Sequence, residues 1–139
     1  MVLENINTSV MGIDDNKINM IATTTLLLLI NSCRSPKIPL KSDVYLTRLS
    51  EQRCKEMKDF SHTDYYNIYS KEIEKKYKYS GENLAVGFAD ATSTVKAWLK
   101  SPGHKEILTA KRYQRIGVAV CEKAPKVYLT VTLYAGNKN

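Results

Sequence analysis

The chain has 139 residues, a length that fits one domain with a single hydrophobic core and argues against several domains. Its hydrophobic fraction of 43% is close to that of ordinary globular proteins and supports a packed interior. The net charge of +7 is concentrated late in the chain, where residues 96–126 carry eight Lys and Arg against Glu106 and Glu122. This basic stretch predicts either an anionic partner or simply a soluble surface.

The N-terminal third begins with a polar segment and an apolar run. Residues 1–15 show no periodicity and are predicted to form a polar arm. The run Met20–Ile30 has 11 residues, which is too short to span a bilayer. We therefore predict a buried helix over Asn16–Ser32 as part of one domain over residues 16–139. The alternative is a targeting segment, with "INSC" before Arg34 as a faint lipoprotein cleavage pattern.

Two prolines in Ser35–Asp43 end this first helix, and Ser42 or Asp43 can cap the next one. The second helix is predicted from inward positions that recur at helical spacing, namely Leu46, Leu49, Arg53 or Cys54, and Met57.

The middle of the chain is charged and rich in tyrosine. Asp59–Tyr66 is predicted to form a loop or a short extended piece. Asn67–Tyr79 is predicted to form a surface helix or helical turn that ends at Gly81.

The last third predicts two helices and a hairpin. Asp90–Ser101 has the pattern of a capped helix, and Pro102 starts a short helix through Leu108. Arg115–Cys121 and Val127–Ala135 are predicted strands joined by a five-residue turn, with one apolar and one mixed face on the second strand. Helices on both sides of a small antiparallel sheet predict an α+β fold, a three-layer α-β-α sandwich.

The three cysteines, Cys33, Cys54 and Cys121, are far apart and contain no CxxC pair, which argues against a zinc site local in sequence. The odd number argues against a complete disulfide framework. A bridge between Cys33 and Cys54 is one possibility, and three buried thiols are the favoured interpretation.

Three side chains carry the chemistry that is easiest to recognise. His62 and His104 are the only imidazoles, and Glu82 lies in a Gly-Glu-Asn sequence that we interpret as a tight turn. Two imidazoles and a carboxylate suit a divalent metal of the zinc type or a general acid and base. Their spacing alone does not bring them together, and hydrogen-bonded structural histidines are the ordinary alternative.

Several motifs resemble the CAP superfamily, which includes cysteine-rich secretory proteins, venom antigens and plant pathogenesis-related proteins, and most closely its short bacterial SCP-like branch. The resemblance covers about residues 16–136 and rests on the order of four motifs, with a final aromatic strand: "FSHTD" (60–64), "GENLAVG" (81–87), "AWLKSPGHKEIL" (97–108) and "RYQRIGVAV" (112–120).

This resemblance implies a three-layer α-β-α sandwich with an open cleft lined by His62, Glu82 and His104. It implies that these three are the candidate metal ligands, for zinc or another divalent ion, and the candidate catalytic residues. Asn83 is expected to fix the turn by hydrogen bonds, and Trp98 is expected in the core.

Two positions depart from the family pattern. Ser101 stands where many members carry a second cleft glutamate, and Ile107 stands where the bacterial branch usually has Asn. Fewer carboxylates weaken the expected metal affinity. Ser61 lacks a demonstrated base, so we predict no efficient protease or esterase activity.

Three functions fit these residues. The favoured one is a binding module for a small, lipid-like or cell-wall ligand, with or without a divalent metal. The first alternative is a metal-dependent hydrolase that uses His62, Glu82 and His104. The second is a structural or accessory part of a larger particle such as a phage virion, where protein partners would hold the domain.

The expected partners follow from charge and resemblance. We expect an amphipathic ligand or an anionic surface, such as lipid head groups or a wall polymer, rather than nucleic acid. No transmembrane segment is predicted. The resemblance implies a secreted or extracellular protein, although the N-terminus is a poor signal peptide, and association with a virion is the alternative location.

Overall fold

A computed structural model describes residues 15–88 and 90–137, with the backbone alone for residues 15–21. The predicted polar arm therefore lies outside the described residues, apart from Asp15, which begins the first helix. The predicted helix is confirmed, and Leu26 and Ile30 lie in the core, whereas Leu28 is 67% exposed, so one face of the described part is buried. Within the described part of the chain, no helix has the length and apolar character needed to cross a membrane.

The described residues form five α-helices, one π-helical segment and four strands. The α-helices are α1 (Asp15–Ser32), α2 (Val44–Glu56), α3 (Ser70–Ile73), α4 (Ala91–Lys100) and α5 (Pro102–Thr109), and the π-helix Tyr65–Tyr69 runs directly into α3. The strands are β1 (Lys41–Ser42), β2 (Tyr79–Val86), β3 (Arg115–Ala124) and β4 (Val127–Gly136).

The four strands form one sheet in the order β1-β3-β4-β2. The β1–β3 pair is parallel, and the β3–β4 and β2–β4 pairs are antiparallel. β4 therefore lies in the centre with a neighbour on each side, whereas β2 is an edge strand whose second side is free of other strands in the described part of the fold.

Helices cover both faces of the sheet, which confirms the three-layer α-β-α sandwich. Alternate residues of β4 enter two separate cores: Leu129, Val131, Leu133 and Ala135 face the layer that contains α2 and the π-helix, and Tyr134 faces the layer that contains α1, α4 and α5. The predicted mixed face of this strand is also buried, since Thr130 is 4% exposed and Thr132 is 0% exposed. Coverage by α1, α4 and α5 overrides the alternating pattern that suggested a less covered face.

The segment between α2 and β2 departs most from the prediction. Tyr65 begins the π-helix rather than lying in a loop, and Tyr69, from the predicted helix, ends it; both side chains are buried in the core below the sheet. The helical stretch stops at Ile73 instead of Tyr79, and Gly81 lies inside β2 rather than at a helix end. Pairing of β2 with β4 supplies non-local hydrogen bonds that a local helical pattern cannot indicate.

Local capping follows the prediction at two helices. The carboxylate of Asp43 accepts a hydrogen bond from the Leu46 amide at 2.9 Å, and Asp90 accepts one from the Ser93 amide at 2.6 Å. The hairpin is also confirmed, but its strands extend further, so Pro125 and Lys126 alone form the connection. Lys126 has a φ of 61°, a left-handed conformation that few non-glycine residues adopt.

A buried arginine ties the N-terminal region to the end of α5. The guanidinium of Arg34 donates to the carbonyls of Leu108, Ala110 and Tyr113 at 2.9, 3.0 and 2.8 Å, and also to Ile38 at 3.1 Å. These carbonyls include helix-end groups that lack a partner within the helix. Burial lowers the pKa of the Arg34 guanidinium, and its interaction with Tyr134 partly opposes this effect.

The cysteine pairing differs from both interpretations of the sequence. Cys54 on α2 forms a disulfide with Cys121 on β3, and Cys33 has a free thiol. The bridge forms because α2 packs across β3, which brings together two residues that are 67 positions apart. The predicted set of three buried thiols and the alternative Cys33–Cys54 bridge are therefore both wrong.

Gly117 sets how closely α2 approaches the sheet. A Cβ atom at this position would overlap the carbonyl group of Leu46 in the first turn of α2. The absence of a side chain therefore allows direct contact between helix and strand, and this contact holds α2 over the sheet.

Candidate functional site

Glu82 and Asn83 lie in the middle of β2 and point to opposite faces of the sheet. Glu82 contacts Arg53 on α2, whereas the Asn83 amide donates to the main-chain carbonyl of His104 on α5 at 3.1 Å. The predicted tight turn at Gly-Glu-Asn is therefore wrong, because these residues are in extended strand conformation. Glu82 is placed by strand alternation rather than by a turn.

The Glu82 carboxylate forms a buried bidentate ion pair with Arg53. Arg53 Nε donates to Oε2 at 2.6 Å and Nη2 donates to Oε1 at 3.0 Å. The two side chains are 2% and 0% exposed, so water does not screen their attraction. Arg53 also donates to the carbonyl of Ser61 at 2.7 Å, which holds the segment before His62 against α2.

His62 approaches the same carboxylate from the loop after α2. Its Nδ1 lies 2.9 Å from Oε1 of Glu82, and the side chain is 40% exposed. Because Nδ1 faces a carboxylate that also receives Arg53, the neutral imidazole carries its proton on Nδ1. The Nε2 atom makes no hydrogen bond to any described residue and remains available.

His104 comes from the opposite helical layer, near the start of α5. Its Nδ1 lies 2.9 Å from the hydroxyl of Ser101, and its main chain is held by Asn83. Burial lowers the pKa of His104, and the charge of His62 lowers it further. His62 thus reaches β2 from the side of α2, through Glu82, and His104 reaches it from the side of α5, through Asn83. We call this part of β2, together with His62, Glu82 and His104, the edge site.

Gly81, the residue before Glu82, has no side chain, and this leaves room for the ring of Tyr113. A Cβ atom on Gly81 would contact the hydroxyl end of Tyr113, whose Oη donates to the Ser80 carbonyl at 2.9 Å. Tyr113 thereby covers the strand immediately before the edge site. At the other end, the Trp98 indole donates to the Leu84 carbonyl at 3.0 Å, and its ring lies in the core as the sequence predicts.

Two residues that position the site were not predicted to do so. Arg53 stood in the inward-facing series of α2, and a charged residue at an inward helical position indicates a buried partner. In the sequence, Ser101 stands out only because many family members carry a second glutamate at this position. Its spacing of three residues from His104 across the start of a helix is the signal that could have identified its contact with the imidazole.

Few side-chain atoms of the edge site are free to bind a metal ion. Both oxygens of Glu82 already accept hydrogen bonds, and Arg53 compensates the charge of the carboxylate. Residues 15–88 and 90–137 contain no group of three His, Cys, Asp or Glu side chains arranged to hold an ion. A metal ion would find Nε2 of His62 as a donor, with Glu82 behind the ring as the carboxylate that orients it, and His104 would be its second imidazole ligand.

Ser61, the serine considered as a nucleophile, has no base beside it among the described residues. Ser61 is exposed, and its hydroxyl contacts the Thr63 amide at 3.4 Å rather than an imidazole of the described chain. The carboxylate beside His62 is likewise engaged by a guanidinium. These contacts hold the polar groups in fixed positions, which suits recognition better than proton transfer by Glu82.

Three exposed apolar side chains lie close to His62 in the chain, and one of them, Tyr66, also lies beside its ring in space. Phe60, Tyr66 and Ile68 are 51%, 64% and 53% exposed. The Tyr66 ring centroid lies 6.3 Å from that of His62. We call these three residues the apolar rim. An exposed aromatic ring beside an imidazole, as with Tyr66 and His62, provides apolar contact for a ligand at the edge site.

Part of the basic stretch stabilises the fold. Arg112 pairs with Glu106 at 2.8 and 3.1 Å, and Lys123 donates to the carbonyls of Cys54 and Lys55 at the end of α2. The remaining basic side chains of this stretch are exposed and keep its positive surface: Lys96, Lys100, Lys105, Lys111, Arg115 and Lys126.

We expect the titration of His104 to reveal its proximity to His62. In the folded protein the NMR titration midpoint of His104 should lie below 6.5, and His62→Asn should raise it without restoring the ordinary value. Burial disfavours the charged form of His104, so the folded protein binds this proton less readily than the unfolded chain does. The free energy of unfolding should therefore be highest above about pH 6.5, where His104 is neutral in both states, and should decrease as the pH falls through the folded pKa. An unchanged midpoint in His62→Asn would mean that the imidazoles do not share a site.

Comparison with known proteins agrees with this architecture. An outer surface protein of Borrelia burgdorferi has a TM-score of 0.71 at 24% identity, over 85% of this chain and 94% of that one. An extracellular protein of Bacillus anthracis that contains an SCP domain has a TM-score of 0.74 at 22% identity, over 88% of this chain and 42% of that one. At these identities the likeness concerns the fold.

Sequence comparison identifies the family. YkwD of Bacillus subtilis is 30% identical over 91 residues, which are 60% of this chain and 35% of that relative. The family model described as the cysteine-rich secretory protein family, CAP, matches residues 30–134, which include the edge site and most of the sandwich. This chain therefore belongs to the CAP family and is a bacterial-type member of it.

Proposed function

We propose that this domain is a binding module whose edge site takes a small amphipathic ligand with an anionic head group. The observation that carries the proposal is the buried Arg53–Glu82 pair. Because Glu82 is neutralised by Arg53, the edge site does not repel an anion as a free carboxylate would. The Nε2 atoms of His62 and His104 then provide polar contacts beside the exposed apolar rim.

The chemistry of each imidazole supports this assignment. The Ser101 hydroxyl can donate to Nδ1 of His104, and the Nε2–H of that ring then remains to donate to an anionic oxygen. The apolar rim, including Tyr66 beside His62, can receive the tail of the same ligand. The exposed lysines on α4 and α5 add attraction for an anionic ligand or surface.

Binding is favoured over the predicted alternative of a metal-dependent hydrolase. An efficient hydrolase requires a positioned base and an activated nucleophile or metal-bound water. Glu82 is held between Arg53 and His62, and Ser61 has no imidazole partner among the described side chains. These contacts support a site that recognises a ligand and does not turn it over.

We expect decanoate to bind at the edge site and to shift the NMR signals of His62, His104 and Tyr66. His104→Ala and Tyr66→Ser should each weaken binding about tenfold, because one removes a head-group donor and the other removes apolar contact. Val44→Ser is the matched control, since Val44 is exposed on α2 about 14 Å along the helix from Arg53. Equal affinities in all four proteins would contradict the assignment.

We also propose that the two imidazoles bind zinc or another divalent ion weakly. When bound, the ion would act as a Lewis acid toward an anionic head group. Calorimetric titration with zinc chloride should show one site, and His62→Ala or His104→Ala should weaken it by at least about tenfold. Zinc affinity that is unchanged in both variants would exclude this site.

The disulfide supports a location outside the reducing cytosol. Bridges such as Cys54–Cys121 form and persist in exported and surface proteins. We therefore propose an extracellular or cell-surface location, which is also the location named for the proteins of Borrelia burgdorferi and Bacillus anthracis with the same fold. Association with a virion remains a prediction without a specific supporting contact.

A further inference from the structure

The outward side of α1 is uncharged and carries an exposed leucine. Residues 22–33 contain no acidic or basic side chain, although 25% of the whole chain is charged. Leu26 and Ile30 point into the core, and Leu28, midway between them in the chain, lies on the opposite side of the helix. Leu28 is accordingly 67% exposed, and Thr24 and Ser32, about one turn before and after it, are exposed as well.

The neighbouring helix α4 turns two lysines to the same side of the molecule. Val95 and Trp98 are buried, whereas Lys96 and Lys100, which are four positions apart, are exposed. α1 and α4 contact each other and bury their apolar residues in the same core. Their exposed sides therefore both face away from the sheet. We call the surface formed by Leu28, Lys96 and Lys100 the α1/α4 face.

Neighbouring acids do not compensate the charge of this face. Within the described part of the chain, neither Lys96 nor Lys100 forms an ion pair. Glu106 on α5 is held by Arg112 at 2.8 and 3.1 Å, and the Asp90 carboxylate caps the first turn of α4. The opposite layer differs, since α2 carries two acidic residues among its three basic ones.

We propose that the α1/α4 face lies on an anionic phospholipid membrane, with Leu28 among the acyl chains and Lys96 and Lys100 at the head groups. An exposed apolar side chain flanked by lysines is typical of helices that lie in a membrane surface. Anionic head groups attract each lysine held close to them. A soluble polyanion would use the lysines without the leucine, and a second copy of this positive face would be repelled.

The α1/α4 face is separate from the edge site. α1 packs over β3, whereas the edge site lies on β2, which is the last strand on the other side of the sheet. Membrane contact through α1 and α4 therefore leaves the proposed ligand site uncovered, and the two assignments can be tested independently.

Binding to vesicles of phosphatidylglycerol and phosphatidylcholine tests the role of the lysines. We expect Lys96→Gln/Lys100→Gln to weaken binding at least about tenfold. Lys55→Gln/Lys58→Gln is the matched control, because it removes the same charge from exposed positions in the opposite layer, and it should weaken binding about threefold or less. Equal losses in the two double variants would show attraction by net charge alone and would overturn the proposal.

The role of Leu28 is tested by substitution and by a probe of insertion. Leu28→Ser should weaken vesicle binding about fivefold, whereas Val44→Ser, at a position 69% exposed on α2, should not. In Cys33→Ala/Leu28→Cys, position 28 carries the single free thiol, because Cys54 and Cys121 are bridged. An environment-sensitive fluorophore on this thiol should shift its emission to shorter wavelength on the vesicles, and the same fluorophore on Cys33→Ala/Val44→Cys should not. An unchanged emission at position 28 would overturn the proposal.

Other occupants of the face, and failure of the proposed function, give different results. Tight binding to soluble polyphosphate, combined with vesicle binding that Leu28→Ser does not weaken, would assign the lysines to an anionic polymer and overturn the membrane assignment. Self-association in sedimentation that Leu28→Ser abolishes would assign the face to a second copy, with the same consequence. A protein that binds decanoate but no vesicles would contradict this inference and leave the proposed function standing. Vesicle binding weakened by Leu28→Ser, with decanoate affinity unchanged in that variant, supports a separate membrane surface.

Discussion

Replacing Arg53 with Met is expected to lower the free energy of unfolding by about 3–5 kcal/mol. The substitution leaves the Glu82 carboxylate, which is 0% exposed, without the guanidinium that compensates its charge. His62 contacts only one of its oxygens and is itself partly exposed, so it does not replace Arg53. The Ser61 carbonyl also loses its donor, which should loosen the segment that carries His62.

Urea unfolding of matched variants measures this effect. Arg48→Met changes an exposed arginine on the same helix and should stay within about 0.5 kcal/mol of the parent protein. The double variant Arg53→Met/Glu82→Gln removes both charges and should recover a large part of the loss. A loss below about 1 kcal/mol in Arg53→Met would show that water reaches the pair in solution.

Loss of the Cys54–Cys121 disulfide is expected to be the second large effect. The bridge spans a sequence separation of 67, for which the chain-entropy model gives about 4 kcal/mol of stabilisation. It joins the last turn of α2 to β3, next to the contacts of Lys123 with the carbonyls of Cys54 and Lys55. Reduction should therefore release the end of α2 and destabilise the layer that carries Arg53.

Thermal and urea unfolding with and without reductant test this expectation. Cys54→Ala/Cys121→Ala should unfold at the denaturant concentration of the reduced parent, and reductant should not change it further. Cys33→Ala is the control, because Cys33 has a free thiol outside the bridge. Equal stability of oxidised and reduced protein would show that the link does not constrain the unfolded chain.

The two effects also bear on the edge site differently. Arg53→Met alters the electrostatic environment of Glu82 directly, whereas loss of the disulfide acts on the position of α2. Decanoate binding measured below the unfolding transition should therefore be weaker in Arg53→Met, since an uncompensated carboxylate repels an anion. It should be nearly unchanged in the folded Cys54→Ala/Cys121→Ala protein.

Local features of the chain could be predicted from the sequence because their partners are close along it. Asp43 and Asp90 cap helices whose first turns follow within three residues, and the hairpin joins two adjacent strands. The order of the motifs that contain His62, Glu82 and His104 also indicated the CAP family, which the match over residues 30–134 confirms. By itself, the sequence thus determined the family, the layers and the candidate side chains.

Tertiary structure alone decided how those side chains are arranged. Arg53 lies 29 positions from Glu82, and Cys54 lies 67 positions from Cys121, so no local pattern indicates either pairing. The Gly-Glu-Asn segment has the composition of a turn, but pairing with β4 makes it an edge strand. His62 contacts Glu82 on one face of that strand, and the main chain of His104 is held by Asn83 on the other face, through contacts 20 and 21 positions apart in the chain.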